Sequence, residues 1–122
     1  MSTSDHFRSQ VFGEMMDEVN RLNNGKGWKQ FDTRFAEYIA LLHSEVSEVL
    51  EAYRSYVLEP HTENGKPQDV GSELADVLIR LLDMCSTYGI DIYEEYNAKM
   101  AYNWKRPYRH GNRILHDNTQ EQ

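Results

Sequence analysis

The sequence predicts an all-α fold, an antiparallel helical bundle of about four helices. Three observations carry that expectation. Apolar residues recur at helical spacing in four segments, Gly and Pro fall between those segments, and no stretch alternates with the period of a strand. The 122 residues suit one domain, taken as 1–116, with 117–122 as a flexible tail. A chain this short buries a limited core, so the bundle is expected to be completed by oligomerisation.

The first helix is expected over 5–23. Phe7, Val11, Met15, Val19 and Leu22 share a face, Ser4 is placed to cap the start, and Gly25 follows the end. A loop, NNGKGWKQFD, comes next. The second helix is expected over 33–57, where Phe35, Ile39, Leu42, Val46, Val49, Leu50 and Tyr53 form one broad apolar face. Pro60, Gly65 and Pro67 make EPHTENGKPQD a loop. The third helix, over 70–88, carries Leu74, Val77, Leu78, Leu81, Leu82 and Cys85 and is expected to be the most buried, with Gly89 as its stop. The fourth begins after Asp91, where DIYE has a capping-box pattern, and runs to about 103.

Charge narrows the function classes. Twenty acidic against 13 basic residues leave a net charge of −7, yet Lys99, Lys105, Arg106, Arg109 and Arg113 form a stretch with no acid. An acidic chain is a poor candidate for binding nucleic acid through its phosphates. The short basic stretch fits a small polyanion, or else a solubilising tail. Cys85, the single cysteine, excludes an internal disulfide and a multi-Cys zinc site, and its apolar surroundings point to a buried structural thiol. No run approaches the ~18 apolar residues of a membrane span. The first ten residues hold no apolar signal core. The expectation is a soluble, cytoplasmic protein without a membrane or nucleic-acid partner.

Two pairs of carboxylates stand out. On a helical wheel Glu45 and Glu48 fall on one shoulder of the second helix with Tyr38, Leu41 and Ala52, whereas Glu51 lies further round with Arg54, towards solvent. On the third helix Glu73 and Asp76 share a face, and Arg80 and Asp83 extend that polar stripe. Two such pairs facing each other would offer four carboxylates to one point, a set that suits a hard cation such as Mg²⁺ or Mn²⁺. The same spacing also fits solvated helix faces or salt-bridge partners.

The order Glu45-x-x-Glu48, 24 residues, Glu73-x-x-Asp76 resembles the signature of the MazG-like, all-α nucleotide pyrophosphohydrolases. GWKQFD before the second helix is similar to an aromatic loop of that family, and KMAYNWKRPYRHG to its C-terminal segment. The resemblance implies a Mg²⁺ site at Glu45, Glu48, Glu73 and Asp76, with Mn²⁺ as a possible substitute. It implies hydrolysis of a nucleoside triphosphate to monophosphate and pyrophosphate, in pool sanitation or dNTP control. Glu48 is the choice of general base among these carboxylates. Lys99 and Asn103, one turn apart, match a phosphate-contacting pair, and Arg106 and Arg109 could add charge-assisted bonds. Trp28 matches a position where relatives stack the base; a Trp that anchors the loop on the core is the plainer reading. Relatives form homodimers or homotetramers.

Two other readings compete. A non-catalytic dimerisation or regulatory module could keep the same helices and have lost turnover. A di-iron carboxylate bundle would need Glu-x-x-His pairs, and no histidine has a Glu three residues before it.

Overall fold

The computed structural model describes residues 2–28 and 34–108. The chain is all-α, built from α1 (Thr3–Gly25), α2 (Phe35–Tyr56), α3 (Val70–Tyr88) and α4 (Ile92–Trp104). It divides into two compact units, Met1–Ile90 and Asp91–Gln122. The expected boundary between domain and tail, after residue 116, lies outside the described residues.

In the first unit α3 packs against both α2 and α1. The pairing of α2 with α3 is antiparallel. Near the start of α2 the Tyr38 hydroxyl shares a 3.2 Å hydrogen bond with Thr87 Oγ1, near the end of α3. Seven residues later on α2, and seven earlier on α3, Arg80 Nη2 donates to Glu45 Oε2 at 2.9 Å. Another seven residues along α2 lies Ala52, buried like Tyr38. Tyr38, Glu45 and Ala52 thus form a seam with a seven-residue repeat, as in helices packed side by side. Tyr88 closes the far end, with its ring edge-on to Phe35 at 5.2 Å and to Tyr38 at 5.7 Å.

The buried side of α2 is therefore not its most apolar face. Phe35, Val46, Leu50 and Tyr53 are each about half exposed. The wheel ranks faces by hydrophobicity alone. Here the semi-polar shoulder wins, because α3 supplies a hydroxyl and a guanidinium to match it. On α3 the buried residues are Glu73, Leu82, Asp83, Met84 and Cys85, while Leu74 and Leu78 are open.

Local chemistry fixes the helix ends. Ser2, rather than Ser4, caps α1, accepting the Asp5 N–H at 3.0 Å, so the helix starts two residues earlier than expected. Gly89 adopts the left-handed φ of +65° at the end of α3, and the Ile90 N–H returns to the Cys85 carbonyl. Asp91 accepts the Glu94 N–H at 3.0 Å to start α4.

The segment expected as a loop after α2 contains a small antiparallel ribbon, β1 (Thr62–Glu63) and β2 (Lys66–Pro67). Asn64 and Gly65 form its turn, both with positive φ, the conformation for which Asn-Gly is favoured. With two residues per strand, no alternation could show in the sequence. Asp69 ties the ribbon to α3. One carboxylate oxygen accepts the His61 N–H at 3.0 Å, and the other accepts the Ser72 N–H at 2.9 Å as the helix cap. The His61 ring stacks on Tyr56 at 3.9 Å. Among the described residues no helix is long and apolar enough to cross a membrane.

Candidate functional site

The cap at Asp69 sets where α3 begins and so where its first acidic residues stand. These two backbone N–H donors, from Ser72 and then His61, hold the Asp69 carboxyl below its ordinary range. One turn on, Glu73 is buried, at 7% exposure. Its carboxyl is pushed above the usual value, first by burial, then by the negative charges of Glu48 and Asp76 and a hydrogen bond with Asp76. Lys66, on β2, acts in the opposite direction.

Glu45, Glu73 and Asp76 each offer a carboxylate oxygen, and these oxygens lie within 4.8 Å of one another. The α2–α3 register explains the meeting. Glu45 lies on the α2 seam, half-buried, and faces the turn of α3 that carries Arg80. Glu48 is exposed and lies outside that trio, although Glu73 feels its charge. The two glutamates of the α2 pair therefore differ in their surroundings. Glu51 is in solvent and pairs with Arg54 at 2.9 Å, as the wheel indicates.

A cleft of about 270 Å³ opens beside the trio, bordered by Asn23, Trp28, Glu45, Asp76, Arg80 and Asp83 among others. Trp28 reaches it through the end of α1. Gly27 takes a φ of +72°, which favours glycine, and the Trp28 N–H turns back to the Asn23 carbonyl at 2.8 Å. The indole is 63% exposed, so it is a wall of the cleft and not a core anchor.

The basic residues belong to the second unit. Lys99 and Asn103 stand one turn apart on α4 and both are exposed, as is Arg106, whose N–H bonds to the Asn103 carbonyl at 3.1 Å. Arg109 lies outside the described residues. Cys85 is buried and its thiol pushed up by that burial, which agrees with a structural cysteine and disfavours a nucleophile.

The sequence puts Arg80 in a polar stripe without a partner and does not single out Lys66 or Asn23. The one available signal was an Arg four residues after Asp76, on the same face. Chemically, the arrangement offers a wholly oxygen donor set beside an open aromatic face. Comparison of the chain with protein-family models, with curated proteins and with solved structures returns no match.

Proposed function

We propose that this chain is a Mg²⁺-dependent nucleoside triphosphate pyrophosphohydrolase, releasing nucleoside monophosphate and pyrophosphate. The supporting observation is the approach of Glu45, Glu73 and Asp76 from two helices beside a cleft walled by the exposed Trp28. Carboxylate oxygens alone suit Mg²⁺ or Mn²⁺. The raised Glu73 carboxyl fits as well: burial first, and then the charges of Glu48 and Asp76, favour its protonated form, and a cation would offset both.

A divalent ion held by Glu45, Glu73 and Asp76, with Glu48 adjacent, would supply charge neutralisation at phosphate oxygens and a more acidic water. Glu48, open to solvent next to Glu73, is the proposed acceptor of the water's proton. Trp28 offers its face to a nucleobase, a contact that tolerates any base. The sequence resemblance, rather than geometry, assigns Lys99, Asn103, Arg106 and Arg109 to the phosphates. Association with further copies, as a homodimer or homotetramer, is supported by the half-exposed apolar face of α2 and the open Leu74 and Leu78 of α3.

That same exposed face also favours the second reading, a non-catalytic dimerisation or regulatory module. A panel of dNTPs and NTPs with Mg²⁺ or Mn²⁺, read as pyrophosphate release, separates the two. Release from at least one nucleotide, abolished in Glu73→Gln, is the expected result. No release from any common nucleotide leaves the module.

A further inference from the structure

Arg80 holds one of the carboxylates that the proposed metal needs. Its Nη2 donates to Glu45 Oε2 at 2.9 Å, and the Glu45 side chain is only 17% exposed. Both residues border the cleft together with Asp76.

Two roles are open to a guanidinium in that place. It could orient Glu45 for an ion, as the outer partners of metal ligands do, or it could compete with the ion for the same charge. The Nε decides between them. It is buried and has no hydrogen-bond partner among the described residues. A group built to orient a ligand has its donors satisfied. A buried donor without an acceptor counts against this pose, which the attraction to Glu45 must offset.

We propose that Arg80 is a built-in competitor for the divalent cation at Glu45. It neutralises the carboxylate while the ion is away and yields it when the ion arrives. The inference rests on the metal site put forward above. A single positive charge at hydrogen-bond distance opposes a second cation on the same carboxylate, and the doubly charged ion prevails at sufficient concentration. Arg80 would then set the ion concentration at which the site fills.

The test is Mn²⁺ binding by the full chain, read from the electron paramagnetic resonance signal of the free ion. Arg80→Gln is expected to bind Mn²⁺ about tenfold more tightly than the parent chain. Arg80→Lys keeps the charge and is expected to stay near the parent value. In a Glu45→Gln background the gain from Arg80→Gln should vanish, because the two residues act through one contact. Equal or weaker binding by Arg80→Gln overturns the proposal, and so does an equal gain in Arg80→Lys, which would point to packing and not charge. Circular dichroism checks folding, and Arg80→Met replaces Arg80→Gln if the latter unfolds. Binding that is lost in Glu73→Gln yet unchanged in Arg80→Gln overturns the competitor alone. No Mn²⁺ bound by any variant overturns the metal site and the competitor with it.

Discussion

The two sides of α2 make opposite use of their residues. The side towards α3 carries Tyr38, Glu45 and Ala52, a mixed set that is buried or half-buried. The other side carries Phe35, Val46, Leu50 and Tyr53, a greasier set left about half exposed. Burial therefore follows complementarity. The inner side is matched by Thr87 and Arg80 of α3, and an unmatched apolar stripe is the usual mark of a surface that meets another protein.

The largest expected effect separates two glutamates of this one helix. Glu45→Gln should lower pyrophosphate release at least ~100-fold, and Glu51→Gln should leave it within about twofold, because only the first stands in the acidic trio. Comparable losses in both would erase the distinction between the sides.

Next in size is an effect on assembly. Leu50→Asp places a charge on the outer stripe and is expected to shift the chain to a smaller species in sedimentation velocity, with helical content kept. An unchanged sedimentation coefficient would show that the stripe is not an interface.

A smaller change probes the inner seam. Tyr38→Phe removes only the hydroxyl shared with Thr87 and should cost about 1 kcal/mol in denaturant unfolding. It should leave assembly untouched. A change in assembly state instead would mean that the seam and the stripe are coupled.

The smallest effect concerns pH and the start of α3. Asp69 has its carboxyl held below the ordinary value in the folded chain. Its contribution is thus complete above the unfolded value and is lost as pH falls through the depressed one. Asp69→Asn should flatten the acid limb of a melting-temperature profile and leave the neutral region nearly level. An acid limb of unchanged slope would count against the cap.

Much of this was readable in the residues, for identifiable reasons. The ends of α3 were legible because the apolar run stops at Gly89, which takes the left-handed turn. The acidic residues were legible as pairs because a spacing of three keeps side chains on one face. Their division was not legible. Glu48 is displaced about 60° around the helix from Glu45, and only the position of α3 shows that this carries it from the seam into solvent. Arg80 was hidden for the same reason, since its partner lies 35 residues away on another helix. The ribbon at Asn64-Gly65 announced itself only by its turn.

The buried Glu73 has a consequence for the lifetime of the protein. A carboxyl raised above its unfolded value makes the folded chain the better proton binder, so stability falls as pH rises through that raised value. Above that raised value the ion-free chain carries this burden in full. An ion that binds only the folded form relieves it by mass action. Cation supply would then govern how long each molecule survives proteolysis, and Glu73→Met should give a chain that is inactive yet more durable.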